Sequence, residues 1–269
     1  MSELDDLSAE VKASVKYRHV APDFIRSIGA VELSRRNSYK EAVKATRNKL
    51  HQVGGAYLEK PPRYETLLTE MRAAVQTGGV AALRPICSQM MSSHASTHER
   101  LPVLEQLYTT VFGLLPRIHS VLDIACGFNP LALPWMPLAT HAAYDAIDIY
   151  EDLTSFLQEF IVLCGCASHT RAGNVLNDPL IEHKVDLAIL LKAIPCLEQV
   201  DKRAGTQLLD RINADHLLIS FPVHSLGGRS KGMSATYETH FMELVRERPW
   251  TYERLEFATE LVFLVTKSA

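Results

Sequence analysis

Asp123-Ile-Ala-Cys-Gly-Phe-Asn-Pro130 is the stretch on which the fold turns. It closes a short apolar run at residues 121–125 with a glycine at 127, the pattern of a buried strand feeding a tight turn. Similar runs follow at 143–149, 185–191 and 216–221, with helical or loop segments between them. The clearest of those helices covers 152–164, where Phe156, Leu157, Phe160, Ile161 and Leu163 recur at helical spacing. Strands alternating with helices imply a parallel sheet covered on both faces. The tail breaks that alternation, because residues 251–258 and 260–267 read as two adjacent strands of an antiparallel hairpin. The expected class is α/β, a Rossmann-like class I methyltransferase fold with a mostly parallel seven-stranded sheet and an antiparallel C-terminal hairpin. A helical extension over 1–95 is expected to precede a cofactor-binding domain over 96–269.

Ligands of doubly wound sheets sit at the carboxyl ends of the strands, near the point where strand order reverses. A dinucleotide site would need G-x-G-x-x-G there to admit a pyrophosphate. Residues 123–130 hold only Gly127, so no such cradle is present. Asp123, Ala125 and Gly127 match instead the looser acid-x-small-x-Gly pattern of S-adenosylmethionine sites. Small residues let the backbone approach the amino-acid end of that cofactor, and Asp123 can meet its ammonium directly or through water. Asp148, 25 residues further on, is placed to accept the ribose hydroxyls, with Asp145 as the competing acid. Asn174, beside Val175, is placed to read the adenine amino group. Lys192 ends an apolar strand, where a lysine must find a partner or reach a cleft.

Composition excludes several alternatives. Of 269 residues 47% are hydrophobic, enough for a sizeable core without staples. Acids in the first ten residues argue against a secretory leader, and no apolar run is long enough for a membrane span. The five cysteines are odd in number and lack paired zinc spacings. Cys164-x-Cys166 has no second pair to complete a site, so reduced thiols in a cytoplasmic protein and no bound metal are expected. Net charge is −3, but its distribution is uneven. Residues 11–60 hold eleven Lys+Arg against four Asp+Glu, a balance of +7; the remainder holds seventeen against twenty-seven, a balance of −10. Such asymmetry points to a nucleic-acid-facing segment.

That basic segment reads as helices. Pro22 suits a first turn, with Phe24, Ile28 and Val31 following at helical spacing, and Ser38-x-x-Glu41 is a capping box. In the helix it opens, Tyr39, Val43, Thr46 and Leu50 share one face. Lys40, Lys44, Arg47 and His51 share another, a row able to track a phosphate backbone, though a solvated helix face has the same form. Gly54-Gly55 should end it, and Pro61-Pro62 should begin the next helix. Ser96-x-x-Glu99 reads as a second capping box, ahead of a helix burying Leu104, Leu107, Tyr108 and Val111.

The longer motifs resemble the aminoglycoside-resistance 16S rRNA methyltransferases, which modify guanine N7 at rRNA position 1405. Carrying the resemblance are Lys16-Tyr-Arg18, Arg47-x-Lys-Leu-His51 with Gly-Ala-Tyr57, His94-Ala-Ser-Thr-x-Glu-Arg100 and residues 123–132. Leu-Leu-Lys192, Ser-Phe-Pro222, Ser225-Leu-Gly-Gly-Arg-Ser-Lys-Gly-Met233 and Glu260-Leu extend it over almost the whole chain. The resemblance implies that Arg100 reaches the cofactor carboxylate, while Asp123, Ala125, Gly127, Asp148, Asn174, Val175 and Lys192 line the same pocket. Several relatives carry Asp where this chain has Asn174, which weakens that one contact. Lys16, Arg47 and His51 would dock on rRNA, and Arg229, Lys231 and Met233 would sit beside the target nucleotide. The implied substrate is 16S rRNA in the assembled 30S subunit, met by a monomer. Guanine N7 carries an in-plane lone pair, so no general base is needed and catalysis rests on positioning. The target base must be flipped out. Phe221 is the candidate to stack on it, with a strand-end core position as its alternative, and Lys192 is a second positioning residue. Two other functions fit less well: methylation of another rRNA base, such as adenine N1, and a non-catalytic rRNA-binding assembly factor.

Overall fold

The computed structural model describes residues 2–55, 62–223 and 232–267. Among these the helices are α1 (Glu3–Lys12), α2 (Pro22–Arg35), α3 (Tyr39–Leu50), α4 (Tyr64–Gly78), α5 (Arg84–Met91), α6 (Ala95–Arg100), α7 (Leu104–Gly113), α8 (Glu151–Leu163), α9 (Ala193–Leu197), α10 (Ala204–Arg211) and α11 (Met233–Val245). The strands are β1 (Ser120–Ile124), β2 (Ala143–Asp148), β3 (Ala167–Ala172), β4 (Val185–Leu191), β5 (Ala214–Pro222), β6 (Trp250–Phe257) and β7 (Glu260–Lys267). They form one sheet in the order β3-β2-β1-β4-β5-β7-β6. The first five strands run parallel, while β7 is antiparallel to both β5 and β6. Strand order reverses between β1 and β4, so the carboxyl ends of those two strands flank the crevice where ligands of such sheets bind.

Central strands β1, β4 and β5 are buried on both faces, which is why they read as continuous apolar runs. β3 gave no such run. It is the edge strand, and its Ala-Ser-His-Thr-Arg-Ala sequence is exposed or half-buried throughout.

The helices before residue 95 contribute to two different cores. α1–α3 pack on one another through Leu7, Val11, Phe24, Ile25, Ile28, Val43 and Leu50. α4 and α5 instead share the core of the sheet, contributing Leu68, Met71, Cys87 and Met91 beside Phe156 and Phe160 of α8. The three-helix unit is tied to the end of β2 by backbone. Ala21 N–H donates to Ile149 O (2.8 Å), Glu151 N–H donates to His19 O (2.7 Å), and Val20 bridges Tyr150. Lys12 pairs with Glu151 at 3.1 Å beside these bonds.

Local details follow chain chemistry with two departures. Pro22 occupies the first turn of α2, and Ser38 caps α3 by accepting from Glu41 N–H. Val31, expected on the apolar face, is 42% exposed, because Gly29 and Glu32 complete the buried stripe of α2 instead. The second capping box does not form: α6 begins two residues early with His94 at its N-cap, and the Glu99 side chain crosses to another element. No helix among the described residues is long and apolar enough to cross a membrane.

Candidate active site

A cleft enclosing about 940 Å³, part of it open to solvent, lies at the switch point of the sheet. Its floor is the turn after β1. Ala125 and Gly127 both adopt left-handed backbone (φ 52° and 49°), a conformation that L side chains resist. At Gly127 an added Cβ would only touch the His94 ring at 3.4 Å, so it is the left-handed backbone rather than space that favours glycine there. Gly127 N–H donates to Asp148 Oδ2 at 2.8 Å, and Ile149 N–H donates to Oδ1 at 2.7 Å. The carboxylate of β2 thus anchors the turn of β1 while facing the cleft. Burial raises the pKa of Asp148, opposed by these backbone N–H groups. Asp145 is excluded as its competitor. Three residues earlier on the strand, it faces His169 and His183 at 3.9 and 3.5 Å and does not line the cleft.

Asp123 is not where the motif suggested. Only 1% exposed, it accepts from Asn129 Nδ2 (2.9 Å) and the Tyr144 hydroxyl (2.8 Å), behind the turn rather than on the cleft wall. Desolvation pushes its pKa up to about 7. Asn174 is likewise occupied: its amide donates to Ser27 Oγ at 3.0 Å and its carbonyl oxygen accepts from Leu176 N–H at 3.1 Å. Its neighbour Val175 lines the cleft.

The opposite end of the cleft is charged. Arg100 forms a buried bidentate pair with Glu260 (Nε to Oε2 2.9 Å, Nη2 to Oε1 2.9 Å), and its Nη1 donates to Asn129 Oδ1. Ser220 also donates to Glu260. Lys192 closes β4 in left-handed conformation (φ 56°), and its Nζ sits 2.6 Å from Glu99 Oε2 and 3.8 Å from Glu260. Arg100 and Lys192 both line the cleft. His94, also on the wall, is held neutral, its pKa lowered to about 4 by burial and the Arg100 charge. The remaining wall is apolar and comes partly from the N-terminal helices: Phe24 and Val53 face Ile149, Leu153 and Leu197.

Phe221 is corrected as a base-stacking residue. It is fully buried, stacked on Tyr237 (5.1 Å between centroids) and edge-on to Phe263 (6.1 Å), so it is a core residue of β5. Lys16 and His51, 35 residues apart in sequence, meet at 2.9 Å on the surface. Arg47 lies in the same helical unit, half-buried and paired with Glu10 at 3.6 Å. Met233 opens α11 and is half-buried, whereas Arg229 and Lys231 lie outside the described residues. Sequence reasoning missed Glu99 and His94. Both lie within the 94–100 motif, but Glu99 had been read as a helix cap.

A seven-stranded sheet of this order ending in an antiparallel hairpin, with a glycine turn and an acid of β2 at the cleft of its switch point, defines a class I S-adenosylmethionine-dependent methyltransferase. The family model for ribosomal RNA methyltransferase (FmrO) matches residues 13–264, and the chain belongs to that family. It is 37% identical to a 16S rRNA (guanine(1405)-N(7))-methyltransferase of Micromonospora echinospora over 98% of this chain and 97% of the relative. A protein of the same name from Serratia marcescens is 34% identical over 98% and 99%. Among solved structures it resembles the 16S rRNA methyltransferase RmtF in complex with S-adenosyl-L-homocysteine, with TM-score 0.83, 29% identity and full coverage of both chains. The 16S rRNA methylase RmtB superposes with TM-score 0.77 at 30% identity, over 98% of each chain.

Proposed function

We propose that this chain transfers a methyl group from S-adenosylmethionine to N7 of guanine 1405 in 16S rRNA, acting as a cytoplasmic monomer on the assembled 30S subunit and conferring aminoglycoside resistance. One observation carries the reading. A cleft with Gly127, Asp148 and Lys192 in place occurs in a chain matched end to end by relatives named for that reaction.

The cofactor supplies an electrophilic methyl on a sulfonium. Guanine N7 needs no proton removed, so the residues of this chain act by binding and alignment. Asp148 would receive the ribose hydroxyls, and the wall around Phe24, Ile149 and Val175 would cover the adenine. Arg100, whose guanidinium is held by Glu260 and Asn129, and Lys192 would supply the positive charge for the cofactor's carboxylate. Lys16, Arg47 and His51 would form a basic docking face for the RNA backbone, and Met233, together with Arg229 and Lys231 outside the described residues, is assigned to the target nucleotide. Such a face reads RNA shape more than sequence.

Purified 30S subunits incubated with labelled S-adenosylmethionine and this chain should carry label at guanine 1405, and cells expressing it should tolerate gentamicin and kanamycin. Label on an adenine, or binding without label, overturns the reading. Lys16→Glu should weaken 30S binding about tenfold and lessen its salt dependence, with S-adenosylhomocysteine binding unchanged. Unaltered 30S affinity in a binding titration would remove Lys16 from the docking face.

A further inference from the structure

Residues 173–184 join β3 to β4 without helix or strand, yet they carry Val175 to the cleft wall. Such a loop has no ladder to pair its backbone, and a buried carbonyl without a donor is costly. Here the donors come from one side chain 33 to 36 residues away. Arg211, the last residue of α10, donates from Nη1 to the carbonyls of Val175 (2.9 Å) and Leu176 (2.7 Å) and from Nη2 to that of Asp178. Leu208 and Leu209 sink the same turn of α10 into the core, so the guanidinium reaches the loop from a fixed base. Asp178 closes the loop from within: its Oδ2 accepts from Asn174 N–H at 2.6 Å, and its own N–H donates to Asn174 O at 2.8 Å.

We propose that Arg211 is a positioning residue for methyl transfer, clasping the loop after β3 so that Val175 is held against the cofactor's adenine. This rests on the S-adenosylmethionine reading. Arg211 does not line the cleft itself, so it acts through the loop and not on the ligand. The placement of its bonds supports the role. Two of its three acceptors are the carbonyls of Val175 and the adjoining Leu176, so the clasp falls on the residue whose side chain meets the cleft. A planar guanidinium presents its N–H donors in fixed directions and can hold three carbonyls at once, which the flexible ammonium of a lysine does less well. The C-terminal turn of a helix also favours a cation, so α10 suits a charged side chain at this position. Adenine is remote from the transferring methyl. A contact there strengthens ground state and transition state alike, and its loss shows in KM rather than kcat.

Steady-state methylation of 30S subunits, together with calorimetry, tests the assignment. Arg211→Met keeps the stem and removes the donors. Its KM for S-adenosylmethionine should rise at least about tenfold, with kcat within about twofold of the wild-type chain and 30S affinity unaltered. S-adenosylhomocysteine and 5′-methylthioadenosine share the adenine, so both should bind this variant more weakly by the same factor. Arg211→Lys still reaches part of the loop and should lose less, about threefold. It carries the test alone if Arg211→Met does not fold. Unaltered binding of both ligands by Arg211→Met, or by Arg211→Lys where it stands alone, would leave Arg211 a support of the fold only. A loss confined to S-adenosylhomocysteine would place the loop away from the adenine, and a fall in kcat with KM unaltered would give Arg211 another role. Each of these results overturns the proposal. Wild-type chain that binds neither ligand would instead overturn the cofactor reading on which it rests.

Discussion

Asp148→Ala should lower the affinity for S-adenosylhomocysteine by about a hundredfold or more, the loss of two charge-assisted hydrogen bonds. The carboxylate has two tasks. It faces the cleft, and it holds the turn after β1 through Gly127 N–H and Ile149 N–H. Truncation removes the ligand contact and leaves those two donors without their acceptor, so the left-handed turn at 125–127 loses its anchor. Asp148→Asn should fare nearly as badly, because one face of an amide is itself a donor and would oppose one of the two N–H groups. Asp145→Ala is the control. It lies on the same strand but faces His169 and His183, so its removal should leave binding unaltered. Calorimetry on the three variants decides the matter, and an Asp148→Asn chain that binds within threefold of wild type would sink the assignment.

Glu260→Ala should destabilise the folded chain by about 3–5 kcal/mol in urea denaturation, the cost of leaving a buried guanidinium without its partner. Glu260 is 0% exposed and joins β7 to three elements: Arg100 of α6, Ser220 of β5 and, at 3.8 Å, Lys192 beyond β4. The double variant Arg100→Met with Glu260→Leu should recover much of that stability, since apolar residues of similar volume tolerate such a site. It should not recover cofactor binding. If the single variant loses less than about 1 kcal/mol, the pair is not the internal tie described above.

Much of the architecture was legible because burial writes itself into composition. β1, β4 and β5 lie inside the sheet and have no solvent-facing side, so each reads as an apolar run. The hairpin of β6 and β7 was legible too, from two strand patterns with no room for a helix between them. β3 left no apolar run, because it is an edge strand with polar faces, and only its place before Gly173 in the alternation marked it. The helices before residue 95 show a related limit: α1–α3 and α4–α5 are equally helical in pattern, and only packing separates the trio from the helices that complete the sheet's core.

The Asp123-to-Pro130 stretch shows where the division falls in the active site. By itself the sequence determined that a strand ends there in a glycine turn and that acids and a lysine follow at later strand ends, because those facts depend on local residue order. Only the tertiary structure decided which of the acids faces the cleft. Asp123, Asp145 and Asp148 differ in what lies across from them: Asn129 and Tyr144 enclose the first, histidines face the second, and the cleft opens before the third. Glu99 and Lys192, 93 residues apart, likewise became a pair only in three dimensions. Partners distant in sequence are set by how helices and strands pack, and one-dimensional spacing carries no record of that distance.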